Sequence, residues 1–599
     1  MRESLARAGH PWVSLLLLLA VRISVFAIPA PPTGNTPPVT ALVNVTLVPM
    51  DREGVIPAQT VIVRGGRIAE IGPAGTMIIP ADAMIIDGTG RYLAPGLADM
   101  HVNLDSSIGA RPDFGDAPLF LAYGVTTVLN LRGGPEHLAW RRRIQNGELL
   151  APNLYTSGEF INEPRDRTPE EVEREVIAQF RAGYDVIKYH QIVDAEGRYL
   201  TTSGLPREAY MRMNEVARRL GIPLLGHAPT NLGLSALLEA HQSLAHVGEF
   251  VPLYFLPPRP EEMNRCLLVS AASLLVLIGS SAAWLVSAGA YRFRRVKPEL
   301  LSIPVLRTRN TVFAITVAAL LSMVLSIVLI LSGNTLLLIV ASMAAFIMLV
   351  LVMGMVVATA SWWRDRTCSI GTKLHLVVVT FAAIAFVAAT AYWCPILWRS
   401  STSQMAEFAS AVRKAGIRVE STLNLYDTLG MTRQQRLQPL QDPAFKALSP
   451  EIRDEWTAIA AQDPWPRWQG VLFRNNPQFT RNLTGALHRA GVPLLLGTDA
   501  LGAPLTIPGA SAHQELELLV ASGLTPYDAL RTATVNPARF LGKEDEFGTI
   551  AVGKRADLLL VSADPLMDIH SLQNPVGVMI RGQWLPAEKL QNMLRTLAQ

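Results

Sequence analysis

The sequence predicts an α/β chain: a (β/α)8 barrel with a small composite β-sandwich domain, interrupted by an all-α transmembrane four-helix insert. Three observations predict it. Short apolar runs bounded by Gly or Pro recur along the chain, and several close on a His, Lys or Asp: His101 with Asn103 in APGLADMHVNL, Lys188 in DVIKYH, His227 in PLLGHAP, His246 in SLAHVGEF and Asp499 in PLLLGTDA. Strand-like segments of another style lie at both chain ends. Long uncharged stretches divide the middle of the chain.

Each short apolar run reads as a buried strand. Eight are expected: Tyr92–Leu97, Val125–Leu129, Asn153–Ser157, Val186–Lys188, Pro223–Gly226, Ser243–Ala245, Val419–Leu423 and Pro493–Leu496. Helical patterns such as Thr168–Ala182, Arg207–Leu220, Gln404–Ala415 and His513–Ser522 separate several of them. Side chains at the C-terminal ends of parallel barrel strands converge on one face, where barrel enzymes carry out their chemistry. Segments ALVNVTLV, TVIVRGGRIAEIG and AMIIDGTGRYLAPG near the start, with FGTIAVGKRADLLLVSAD and VGVMIRGQWL near the end, predict a sandwich built from both ends.

The 599 residues are half apolar and only 17% charged. The apolar excess is local. Leu267–Ala290, Val312–Leu331, Leu336–Ala360 and Leu374–Leu397 are each long enough, at about 20 residues, for a bilayer crossing. Tyr291, Trp362, Trp363, Trp393 and Trp398 sit near their ends, as an interfacial belt would. Two loops between these stretches carry six basic residues against one acid and three against one. The positive-inside rule then predicts a multi-pass membrane protein whose barrel is extracytoplasmic, periplasmic in a bacterial inner membrane. The N-terminus, with Arg2, Arg7 and the apolar Trp12–Val21, predicts a signal peptide or anchor. The basic loops account for the whole net charge of +4, so the remainder is acidic and nucleic-acid binding is excluded. Cys266, Cys368 and Cys394 lack zinc-site spacing.

The predicted organisation is a signal or anchor over 1–30, the first sandwich part over 31–95 and the first barrel part over 96–260. The transmembrane insert covers 261–402, the second barrel part 403–543, and the second sandwich part 544–599.

These motifs in this order resemble the amidohydrolase superfamily, close to its imidazolonepropionase-like and prolidase-like members. GVTTVLNLRG, GASAHQELELLVASGLTPYDALRTATVNPARFLG and GTIAVGKRADLLLV match that style. The resemblance implies a metal-dependent hydrolase of C–N bonds acting on a small amide, cyclic amide or peptide. It implies one metal held by the first-strand pair and Asp499, a second held by His227 and His246, and a carboxylated Lys188 between them. The first-strand pair is His101 and Asn103 here, where the family has two His. Imidazole and carboxylate suit Zn²⁺, at one or two per chain. Asp499 is expected to take a proton from the attacking water and pass it to the leaving amine. Tyr189, His190 and His513 are candidate substrate contacts. His227 is followed by Ala228, Pro229 and Thr230, without the Glu that deaminases of the superfamily carry there. The alternative is a catalytically impaired ligand-binding or sensor protein on the same barrel, motivated by Asn103 and the insert. The apolar insert helices hold almost no ionisable residue, which argues against a transporter.

Overall fold

The structure, a computed structural model, describes residues 39–105, 109–161, 166–191, 204–255, 260–293, 312–317, 319–321, 347–357, 359–360, 363, 370–399, 402–461 and 477–599. It is a mixed α/β fold with parallel sheets. Strands β1 (Thr40–Leu47), β2 (Ile56–Arg64), β3 (Arg67–Pro73), β4 (Met84–Asp87) and β5 (Tyr92–Pro95) come from the first part of the chain. They join β14 (Leu558–Val561), β15 (Gly577–Ile580) and β16 (Gln583–Pro586) in one eight-stranded sheet, ordered β16-β15-β14-β5-β1-β2-β3 with β4 beside β1. Both chain ends therefore build one sheet.

Eight further strands run parallel. β6 (Leu97–Val102), β7 (Val125–Asn130) and β8 (Asn153–Thr156) form one sheet. β9 (Ile187–Tyr189), β10 (Leu224–Gly226), β11 (Ser243–Leu244), β12 (Val419–Glu420) and β13 (Leu494–Leu495) form another. Single parallel bridges, Ser157 to Val186 and Val102 to Ala500, join the two sheets at both seams and close the ring. β6, β7 and β8 are buried at every position, as strands covered on both faces by neighbouring structure must be.

The helices show why the chain leaves and re-enters the ring where it does. Helix Pro169–Ala182 starts at a capping box in which Thr168 and Glu171 satisfy each other's backbone N–H, and stops at Gly183 with φ 88°. Helix Arg207–Leu220 stops the same way at Gly221, φ 71°. Val172, Val176, Tyr210 and Met213 on these helices pack with Ile187 and Tyr189 of β9.

Two expectations about element bounds are corrected. The first barrel strand is Leu97–Val102; Tyr92–Pro95 pairs with β14 and β1 in the other sheet. The run is one apolar stretch in sequence, but Gly96 divides it. A Cβ there would lie 2.1 Å from Thr126 Oγ1, so only Gly lets the chain pass between the two sheets. Helix Ala510–Ala521 begins behind Gly509, three residues before His513, which lies inside its first turn.

The insert enters through helix Pro260–Phe293 and returns through Ile370–Arg399. Leu277, Ile315, Met348, Met355, Val379 and Phe386 bury one another in a separate apolar cluster. Ser280 meets His375, Ser281 meets Thr316, and Thr359 meets Thr380 across it. Among the described residues, no helix is long and apolar enough to cross a membrane. That overturns the multi-pass membrane location and leaves the transmembrane insert, the lipid bilayer as partner and the extracytoplasmic side without support. Unbroken apolarity does not by itself mark a crossing, and only part of the described insert is buried against itself: Leu268, Leu275, Val286, Met353, Val357 and Phe381 are exposed. The signal segment, most of both basic loops and much of Val312–Leu331 and Leu336–Ala360 lie outside the described residues.

Asp557 locks the sheet to the ring. Its buried carboxylate accepts from Asn153 Nδ2 of β8 at 2.8 Å, from the Arg581 backbone N–H at 2.8 Å and from Arg555 Nε at 2.5 Å. Removing it leaves the Arg581 backbone N–H without its acceptor and takes one of two carboxylates from the Arg555 guanidinium. Asp557→Ala is expected to cost about 3–5 kcal/mol in denaturant unfolding; a loss below about 1 kcal/mol would contradict this role.

Candidate metal centre

Alternation along β6 sets three side chains, Asp99, His101 and Asn103, on one face at increasing height. Asp99 is the floor. Its carboxylate accepts from Thr498 Oγ1 at 2.6 Å and from the backbone N–H groups of Thr498 and His101 at 3.1 and 3.2 Å. Above it, His101 Nδ1 lies 2.8 Å from Glu420 Oε2, and its Nε2 lies 3.5 Å from Asp499 Oδ1. Asn103 Nδ2 donates to the same Asp499 oxygen at 2.7 Å.

His227 follows β10 and donates from Nδ1 to the Gln191 carbonyl at 3.1 Å, so its Nε2 is the free acceptor. His246 follows β11 with Nδ1 3.1 Å from Thr422 Oγ1. The rings form a chain across the mouth: His101 to His246 at 4.5 Å, His246 to His227 at 5.1 Å and His227 to His190 at 4.7 Å between centroids. Lys188 rises from β9 and is buried; its amine has no hydrogen-bond partner among the described residues.

His101, His246 and Asp499 each bring one donor atom within 4.8 Å of the others, a group that could hold a metal ion. The backbone is unusual at that point. His246 (φ 67°), Asp499 (φ 57°) and Thr422 (φ 43°) are left-handed non-Gly residues at the ends of barrel strands. Each such conformation costs on the order of 1–3 kcal/mol and persists where surrounding structure enforces it. Two glycines make room: a Cβ on Gly497 would lie 2.8 Å from His101 Cβ, and one on Gly502 would lie 2.1 Å from Asn103 Nδ2.

Burial sets the protonation states. It pushes His101 and His227 well below the usual imidazole value, with Lys188 adding to the effect, so both rings are neutral donors. Burial lowers Lys188 to about 8 against the pull of Glu420, Asp499 and Glu249. Burial raises Asp499 to about 6, while Lys188 and the Asn103 hydrogen bond hold it down. This donor chemistry fits Zn²⁺: neutral imidazoles, a carboxylate and a fourth direction left to other groups.

The structure thus gathers His101, Asn103, Lys188, His227, His246 and Asp499 at one mouth. His190 is there too, stacked on Phe160 at 4.3 Å. Tyr189 points the other way, into the helix layer, with its hydroxyl donating to Gln191 Oε1 at 2.7 Å. His513 is buried and donates from Nε2 to the Tyr123 carbonyl at 2.8 Å. Sequence reasoning missed Glu420, Asp99, Thr498 and Thr422. Glu420 had a signal: a carboxylate closing the buried run IRVE.

The parallel ring carries a His, His and Asp cluster at its strand ends. Comparison with known proteins adds a match at the level of a domain: residues 474–585 match the Amidohydrolase family. Adenine deaminase of Rubrobacter xylanophilus is 36% identical over 108 residues, 17% of this chain and 18% of that protein. The 5-methylthioadenosine/S-adenosylhomocysteine deaminase of Teredinibacter turnerae is 29% identical over 121 residues, 18% of this chain and 27% of that protein. The chain thus spans well under a third of the length of these curated relatives. In fold it is similar to a putative prolidase from Bifidobacterium longum, TM-score 0.52 and 19% identity over 94% of this chain and all of that one. It is also similar to the bottromycin amidohydrolase AH, TM-score 0.55 and 20% identity over 94% of this chain and 90% of that one. The match over residues 474–585 is to the Amidohydrolase family, and the structural likeness is one of fold.

Metal binding at this cluster needs Asp499 as the carboxylate. A pKa of about 6 in the metal-free site means that protons compete with the metal below pH 6. Zn²⁺ affinity, read by chelator competition, is therefore expected to rise by up to about tenfold per pH unit below pH 6 and to level off above it. Affinity that is flat between pH 5 and 7 would contradict this.

Proposed function

We propose that the chain is a metal-dependent hydrolase of amide, cyclic amide or peptide C–N bonds, built on a (β/α)8 barrel. The observation that carries the reading is the convergence of His101, His246 and Asp499 to within 4.8 Å at the ends of parallel strands. These three would hold one divalent metal, Zn²⁺ by donor type. His227 and Lys188, the latter in carboxylated form, would complete a second, weaker position. When bound, the metal supplies Lewis-acid polarisation of the scissile carbonyl and of the attacking water.

The chain's own residues supply the rest. Asp499 takes the proton of the attacking water and returns it to the leaving amine; a pKa of about 6 suits a base that must release its proton near neutral pH. Asn103 turns its amide nitrogen on Asp499, so it acts as a donor that favours the carboxylate form and aims the second oxygen. A site that keeps Asn here gives up one imidazole donor in exchange, which favours fewer than two tightly held metals. His190, stacked on Phe160 beside His227, is the substrate-facing candidate. Tyr189 and His513 serve the packing behind the mouth.

Deamination is a second reading, favoured by the deaminase names of the curated relatives. It is the same bond class, and the Ala228–Pro229–Thr230 stretch after His227 offers no carboxylate for it.

The test is turnover of Xaa-Pro and other dipeptides, cyclic amides and adenine by zinc-loaded protein, with metal content measured on the same samples. Peptide or amide hydrolysis with fewer than two metals per chain is expected. Asn103→His should raise metal content toward two, and His246→Ala should abolish both metal and turnover. A panel without any turnover by metal-replete protein would favour the ligand-binding alternative.

A further inference from the structure

Glu420 is a buried carboxylate at the mouth, with a side chain wholly out of water. Such a group is retained only where it is paired or hydrogen-bonded. One oxygen is accounted for: Oε2 lies 2.8 Å from His101 Nδ1. The other, Oε1, has no hydrogen-bond partner among the described residues, and neither has the Lys188 amine. Each is the leading charge partner of the other. Glu420 ends the two-residue strand β12, whose register with β13 and β11 is fixed by backbone pairing. Ser421 and Thr422, directly after it, are held in turn by Glu515 and His246. The carboxylate therefore sits on a rigid mount rather than on a mobile loop.

We propose that Glu420 is a positioning residue of the metal centre, which locks His101 in the Nδ1–H tautomer and aims its Nε2 at Asp499 and His246. The inference rests on the metal-dependent reading above. Its logic is geometric. An ionised Glu420 can only accept from a neutral imidazole, so in that state the 2.8 Å contact puts the proton on Nδ1 and leaves the Nε2 lone pair for a metal. Without it, His101 has no described partner that selects a tautomer, because Nε2 faces another carboxylate, Asp499, at 3.5 Å. A free ring would turn its proton to Asp499 and pair with it, blocking two of the three donors at once.

The test uses the full chain and zinc alone. Glu420→Leu removes the acceptor; Glu420→Gln keeps an acceptor oxygen and removes the charge. Zinc affinity is measured by chelator competition, and the His101 tautomer by ¹⁵N chemical shifts of histidine-labelled metal-free protein, assigned with His101→Asn. Glu420→Leu is expected to lose 10- to 100-fold in zinc affinity, roughly the range for such supporting carboxylates, and to lose the pure Nδ1–H signature. Glu420→Gln should keep the tautomer and lose less affinity than the Leu variant. A purely structural role would lower the unfolding temperature without moving the tautomer. If Glu420→Leu fails to fold, Glu420→Gln decides: an unchanged affinity and a mixed tautomer overturn the proposal. Unmodified protein that binds zinc, with both variants binding within about twofold of it, overturns this inference alone. Unmodified protein that binds no zinc overturns the metal reading and this inference with it.

Discussion

The balance of charge in a site almost without water is the constraint on which this structure depends. Glu420, Asp499 and Glu249 face one buried amine, Lys188, with the imidazoles of His101, His190, His227 and His246 nearby. Burial pushes three carboxyls up, Asp99 to about 7 and Asp499 to about 6 with their donors in place, and Glu420 well above the usual carboxylate range. Each of these three has a designated partner. Thr498 and two backbone N–H groups serve Asp99, His101 serves Glu420, and Asn103 serves Asp499. The imidazoles are held neutral by the same burial and by the neighbouring ammonium. A divalent cation placed among His101, His246 and Asp499 would satisfy the acids and the lone pairs together. In that sense the site is shaped by the charge it lacks.

Fold and site are coupled through the short strands. β10 to β13 have two or three residues each, so the register of a single backbone pair decides which side chain reaches the mouth. The left-handed residues His246, Thr422 and Asp499 come immediately after those pairs. They turn the chain outward while keeping the side chains inward. Gly497 and Gly502 supply the clearance against His101 and Asn103 that any larger residue would close. The composite sheet holds the ring from outside through Asp557, and Gly96 is where one becomes the other.

Much of this was legible in the sequence. Polar residues ending apolar runs marked His101, Lys188, His227, His246 and Asp499, because a strand buried on both faces has no other place for them. Glu420 was hidden by a strand read three residues too long, in which it seemed interior rather than terminal. Asp99 was hidden because its partner, Thr498, is almost 400 residues away in sequence. The role of Asn103 could not be read at all. Residue type says that Asn offers both an oxygen and a nitrogen, and only its neighbour Asp499 decides which is used. The insert shows the opposite failure. Its apolarity was obvious, but hydropathy alone does not say what apolar helices are buried against.

The central claim is that His101, His246 and Asp499 share one divalent metal. Anomalous diffraction at the zinc edge, on crystals grown with limiting zinc, tests it most directly because it locates the ion independently of any substrate. The account predicts a single strong peak bonded to His101 Nε2, a ring nitrogen of His246 and a carboxylate oxygen of Asp499. A first-filled peak on His190 and His227 away from His101, or no peak at this mouth, would contradict it.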